Sequence, residues 1–368
     1  MENEKPASPD GGNVELGSVS PLPHLDPDPT TAFARIAERG NAAGLLRCAD
    51  PRGLPEHRRA GAEWAARFLL DAKPGEVVIC AGAQHALACC LAALSQPGHR
   101  IAVDPLTYPG LIALAATFGL HLIPVPMDDQ GMLPDRLDAL CRNHTIHGLY
   151  LMPGAHNPTG VRMPPGRREA LASLARKHDL LVIEDDAYAL TDPDRTPPVA
   201  ALARERAFFI AGLSKTLAPG LRIAYLVTPP HQSKTLGRSV ENSLRMTPPL
   251  TAEIAAAWIM DHTADQVLQA KLAETARRND LARDTLGLLP ARYRPHQFFL
   301  WLPLPDPWTA RSFEQAARER GVNLLGAHHF APNPDAAPAA IRLSLTAETN
   351  PDRLKTGLET VAGLLRGE

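Results

Sequence analysis

Residues 212–222 read Gly212-Leu-Ser214-Lys215-Thr-Leu-Ala-Pro219-Gly220-Leu-Arg222. The apolar run ahead of them predicts a strand over 207–212, a second apolar run predicts another over 221–227, and Pro219-Gly220 resets the backbone between the two. Lys215 therefore stands at the end of a strand. Burial and neighbouring positive charge both favour its neutral amine, which can form a Schiff base with an aldehyde, while Ser214 and Arg222 can bind a phosphate on the same molecule. On its own, Ser-Lys reads as a solvated loop, because surface lysines are the commonest kind.

Moving outward, strands and helices alternate. Strands are predicted over 76–80, 100–104, 120–125, 147–152 and 180–185, and helices over 84–94, 108–118, 134–141 and 166–177. This order implies an α/β fold, a large domain with a mostly parallel sheet covered by helices on both faces, whose ligands gather at the carboxyl ends of the strands. A helical stretch over 252–286 can bridge to a smaller α+β domain, with strands over 297–302 and 340–345 and helices over 309–320 and 352–365. The Pro-, Asp-, Ser- and Gly-rich residues 1–30 read as a flexible arm. We divide the remainder into a large cofactor-binding domain, 31–260, whose N-terminal segment contributes to the small domain, and a bridging helix with a small C-terminal domain, 261–368.

Composition narrows the partners. Lys and Arg total 38 against 40 Asp and Glu, so there is no electrostatic footprint for nucleic acid or an anionic membrane, and a small-molecule partner is expected. The five cysteines lack zinc-ligand spacing and are too few to staple 368 residues, which suits a reducing compartment. No secretory leader or apolar run of about 18 residues is present. A cytoplasmic, soluble protein is expected.

Five further motifs fall at strand ends. Ala83 and Gln84 follow Gly82 at a strand-to-helix turn, where free amides can hold an anion. Tyr108 can lie against an aromatic ring, or simply cap a core. Asn157, in Asn-Pro-Thr-Gly160, can donate to a phenolic oxygen, though the tetrapeptide is also an ordinary turn. Asp185 ends an apolar strand, where a carboxylate needs a cation such as a protonated pyridine; a cap or loop ion pair is the alternative, more so for Asp186. Arg342 interrupts a β pattern and can clamp a carboxylate, or face water on an edge strand.

Taken together, Asp50-Pro-Arg-Gly-Leu-Pro55, Ala81-Gly-Ala-Gln84, Asp104-Pro-Leu-Thr-Tyr-Pro109, Asn157-Pro-Thr-Gly160, Glu184-Asp-Asp-Ala-Tyr188, the Lys215 stretch and Ile341-Arg-Leu-Ser344 resemble the fold-type I pyridoxal-5'-phosphate enzymes. The likeness is to class I/II aminotransferases, in the branch of 2-aminoadipate and kynurenine aminotransferases and the C-terminal domains of MocR-type regulators. It implies that Lys215 carries the cofactor as a Schiff base and shuttles protons, and that Asp185 pairs with the ring nitrogen. It further implies that Asn157 and Tyr188 bond the ring hydroxyl oxygen and that Tyr108 stacks on the ring. Phosphate would fall to the Ala83 and Gln84 amides, Ser214 and Arg222, and the substrate carboxylate to Arg342. The implied activity is transfer of an amino group from an α-amino acid to a 2-oxo acid, by a homodimer.

Three positions depart from that pattern. Gly212 and Ala83 lack hydroxyls the family usually has, and Cys48 replaces a tyrosine that reaches the neighbouring subunit's phosphate, so looser cofactor retention is expected. The arm also shows no Gly-containing substrate loop. A lyase or cyclase on the same fold is the alternative activity. A non-catalytic regulatory domain is the other, although only a short, non-basic arm precedes the matching region.

Overall fold

The computed structural model describes residues 12–40, 42–287, 289–291 and 293–367. At its centre is a seven-stranded sheet in the order Val77–Cys80, Ala224–Val227, Ala207–Gly212, Leu181–Asp185, Gly148–Leu151, Arg100–Val103, His121–Pro124. Ala224–Val227 runs antiparallel to both its neighbours and the remaining pairs are parallel. Four of these strands are buried at every residue, which is why they read as unbroken apolar runs: helices cover both faces.

One face packs Trp64, Phe68, Phe209 and Tyr225 beneath the helix Pro55–Ala66. The other packs Val78, Tyr150, Phe208 and Ile210 beneath Ala83–Leu94. The 36 prolines are less disruptive than they look. Pro55, Pro109, Pro134, Pro165, Pro249 and Pro351 each open a helix, where the missing N–H has no intrahelical acceptor in any case.

Two local readings change. The strand expected over 221–227 begins only at Ala224, because Pro219–Leu221 forms a 3-10 turn and Arg222 takes a left-handed backbone (φ 52°). The helical stretch expected over 252–286 is two helices, Pro249–Met260 and Thr263–Leu286, parted by a left-handed His262 (φ 65°), and a further helix, Ser233–Leu244, precedes them. The C-terminal part holds a three-stranded antiparallel sheet of Phe299–Pro303, Ala340–Ser344 and Leu325–Gly326, backed by helices Ala310–Glu319 and Pro351–Arg366.

Residues 1–11 of the expected arm lie outside the described residues. Within the rest of the segment Val14 and Leu16 belong to the core of the small domain, whereas Val19 packs into the core of the large one. Val14–Glu15 pairs in parallel with Val322–Asn323, and Leu16 is buried in the core of Leu300, Phe313, Leu343 and Leu358. Farther along, Asp26 accepts from the fully buried Lys271 ammonium at 2.6 Å, and the same ammonium donates to the Leu217 carbonyl at 2.6 Å. One buried cation thus ties the segment to the Lys215 loop. Leu16→Ala should cost about 2–5 kcal/mol of stability, measured by urea denaturation; a change below about 0.5 kcal/mol, the range of a surface substitution, would show that this segment is not part of the core.

Candidate active site

The ends of the large sheet's strands carry most of the sequence-derived residues, while Arg342 comes from the middle of the strand Ala340–Ser344. Lys215 follows the strand Ala207–Gly212, half-buried, and its Nζ donates to the Val19 carbonyl at 2.6 Å and lies 6.0 Å from the centre of the Tyr188 ring. Asp185 closes its own strand in full burial. Desolvation pushes its carboxyl up to about 6, while a hydrogen bond from Tyr150 Oη (3.1 Å) and the charge of Lys215 pull the other way. Its second oxygen, Oδ1, is buried without a hydrogen-bond partner among the described residues.

Asn157 and Arg342, 185 positions apart, meet directly: Arg342 Nη1 donates to Asn157 Oδ1 at 2.8 Å. That bond uses the amide oxygen and leaves the Asn157 NH₂ as the free donor. Arg342 Nη2 donates to the Gly17 carbonyl at 2.5 Å, and Nε is buried without a partner among the described residues. The guanidinium rests 4.8 Å from the Phe330 ring and 5.5 Å from that of Phe299. Burial lowers its pKa to about 10, so it stays charged at neutral pH. It is therefore no edge-strand arginine facing water.

The remaining positions form a cradle. Gly82 takes φ 87°, and a Cβ there would stand 2.5 Å from Arg222 Nη2, so a guanidinium lies directly over the turn. The helix Ala83–Leu94 starts at that turn without a side-chain cap. Its first amides, those of Ala83 and Gln84, are thus left for an anion. Gln84 Nε2 donates to the Gly110 carbonyl (3.0 Å), and a Cβ on Gly110 would strike both Gln84 and the Tyr108 ring, which places Tyr108 beside the cradle. Ser214 is half-buried and makes no hydrogen bond to another described residue. Cys48 is exposed.

The acidic neighbours of Asp185 have structural roles. Glu184 accepts the amides of Val199 and Ala200, and Asp186 that of Gly154. Sequence reasoning missed Tyr150, Phe299 and Phe330, and also the segment from Gly17 to Val19. The last is a correction, since a Gly-containing segment does reach the site, with the Gly17 carbonyl on Arg342 and the Val19 carbonyl on Lys215. A Tyr within the apolar run 147–152 was the available signal for Tyr150; nothing local marked Gly17.

Pyridoxal phosphate suits these groups. A buried carboxylate oxygen lacks a partner, a lysine is within reach of its charge, and an arginine overhangs a helix start kept open by a glycine.

The family model described as Aminotransferase class I and II matches residues 19–361. The uncharacterized HTH-type transcriptional regulator YdeF of Bacillus subtilis is 34% identical over 77% of this chain, which spans only 62% of YdeF's length. The 2-aminoadipate transaminase of Thermus thermophilus is 27% identical, covering 97% of this chain and 91% of that protein. Among solved structures, the kynurenine aminotransferase of Pyrococcus horikoshii superposes with a TM-score of 0.88 at 22% identity, covering 97% and 92% of the two chains. At that identity the likeness speaks for the fold. With the family model spanning nearly its whole length, the chain belongs to the class I and II aminotransferases and carries their fold-type I pyridoxal-phosphate architecture.

Proposed function

We propose that this protein transfers an amino group from an α-amino acid to a 2-oxo acid, with pyridoxal 5'-phosphate held by Lys215. The observation that carries this reading is the buried, half-partnered Asp185 carboxylate within reach of the Lys215 charge. When bound, the cofactor supplies an aldehyde that condenses with amines and a ring that accepts electrons from the adjoining carbon.

The chain's own residues supply the rest. Asp185 Oδ1 would hold a proton on the ring nitrogen of the bound cofactor and so keep the ring electron-poor. Asn157, through its free NH₂, and Tyr188 bind the ring hydroxyl oxygen, and Tyr108 covers the ring. The Ala83 and Gln84 amides, Ser214 and Arg222 hold the phosphate. Arg342, oriented by Asn157, binds the substrate carboxylate through its unpartnered Nε side. Once the substrate amine has replaced it on the cofactor's aldehyde carbon, Lys215 Nζ, again a free amine, would take the α-proton of the amino acid.

The match to YdeF, named as a transcriptional regulator, favours one other reading, a domain that binds the cofactor without turnover. A screen of amino donors against 2-oxo acids separates the two. We expect transfer by the wild type, a loss of about 10²–10⁴-fold in Lys215→Ala, and borohydride fixation of the cofactor on the Lys215 peptide. Fixation without transfer would leave the regulatory reading; transfer undiminished in Lys215→Ala would remove Lys215 from the chemistry.

A Cβ at Gly212 would lie 3.6 Å from Ala83 Cβ, so a serine fits there. A hydroxyl bonded to a charged phosphate contributes roughly 1.5–3 kcal/mol. Gly212→Ser should therefore tighten cofactor binding about tenfold or more, read by spectrophotometric titration. An unchanged affinity would show that the missing hydroxyl is not what limits retention.

We also propose a homodimer in a reducing, cytoplasmic setting, on the strength of the exposed Leu46 (79%), Phe33 and Leu244 and of five free cysteines. A monomeric mass by light scattering at micromolar concentration would overturn the dimer. Among the described residues no helix is long and apolar enough to cross a membrane.

A further inference from the structure

We propose that Glu314, His328 and His329 form a binding site for a divalent transition metal ion of zinc-like coordination, joining the helix Ala310–Glu319 to the turn Ala327–His329. The three side chains offer one ligand atom each, all within 4.8 Å of one another. Glu314 Oε2 stands 3.0 Å from His329 Nε2 and 3.6 Å from His328 Nε2. Ligand atoms about 2.0–2.1 Å from a tetrahedral zinc stand about 3.3–3.4 Å apart, so little movement is needed.

His328 gives the independent sign. Its side chain is only 11% exposed, its Nδ1 is buried without a partner among the described residues, and its Nε2 is too far from the carboxylate to hydrogen-bond. A buried imidazole with neither nitrogen hydrogen-bonded to a described residue calls for a further ligand.

Glu314 is prepared for the same role. Its carboxylate accepts from His329 Nε2 at 3.0 Å and from the Gly326 amide at 2.9 Å. The Gly326 amide also fixes the direction of Oε2. The Arg318 guanidinium engages the other oxygen, Oε1, at 3.3 Å.

A second cluster, Cys80, His85 and Cys89, behaves differently. His85 Nδ1 accepts the Ala81 amide at 3.0 Å, so the ring proton sits on Nε2, the nitrogen facing Cys89 Sγ, and donates rather than ligates. His328 Nε2 hydrogen-bonds to no described residue, and although His329 Nε2 donates to Glu314, no described residue engages its Nδ1, so the ring proton can move there and a metal can take the Nε2 lone pair.

The position gives the ion a structural consequence. Phe330, the next residue, accepts the Thr107 amide through its carbonyl at 2.7 Å, and its ring lies against Arg342. Ligation at His328 and His329 would fasten this wall of the site to the helix behind it.

The test uses chelator-treated full-length protein and the metal alone. Calorimetric titration with Zn²⁺ should give one ion per chain, and Co²⁺ should give the visible absorption of a tetrahedral site. His329→Asn, at a half-exposed position where folding is not at stake, should weaken both at least about tenfold, the lower bound for disturbing a metal site. The Cys80→Ser/Cys89→Ser double variant should bind as the wild type does. Absence of stoichiometric binding by the wild type, or binding that survives His328→Asn/His329→Asn but is lost in the cysteine variant, would overturn the proposal.

Discussion

A carboxylate at the buried end of an apolar strand is the constraint on which this site depends. Asp185 has one oxygen on Tyr150 and no partner among the described residues for the other, and burial drives its pKa up to about 6. Left alone, such a group is costly. The neighbouring strands end at the same level, so the loops that follow them deliver Lys215, Asn157 and Tyr108 around it. A parallel sheet buried on both faces makes its strand ends converge in this way, and polar residues collect there because the strands themselves have no room for them.

The arginine that completes the site comes from the other domain, and its position is set by polar contacts on both sides. Asn157, on the large domain, and Gly17, from the N-terminal segment, each take one Nη of Arg342, while Phe299 and Phe330 wall its faces. The guanidinium is thereby immobilised before any carboxylate arrives. An arginine whose fork is already aimed loses little freedom on binding, which is how a buried cation can discriminate as well as attract.

How much of this the sequence shows depends on whether a contact is local. Lys215, Asp185 and Arg342 were legible because each breaks or ends an apolar run, and the alternation of runs gave the sheet. The antiparallel course of Ala224–Val227 was not legible, because an apolar strand carries no mark of direction. The helix Ser233–Leu244 was missed because its buried face is only Ser233, Leu236, Gly237 and Val240. Gly17 and Val19 escaped for a different reason. Their partners lie 325 and 196 positions away, in a segment whose own composition suggests no order. Ser214 shows the converse case: the motif singled it out, yet among the described residues it has no hydrogen-bond partner of its own.

The parallel pairing of Val14–Glu15 with Val322–Asn323 has a bearing on how the molecule is made. Glu15 and Asn323 are 308 positions apart. On the ribosome the first strand must wait, unpaired and with Leu16 exposed, while the whole doubly covered sheet is synthesised. The large domain can condense as soon as its own strands emerge, whereas the small one closes only once Val322–Asn323 has been made and can return to Val14–Glu15.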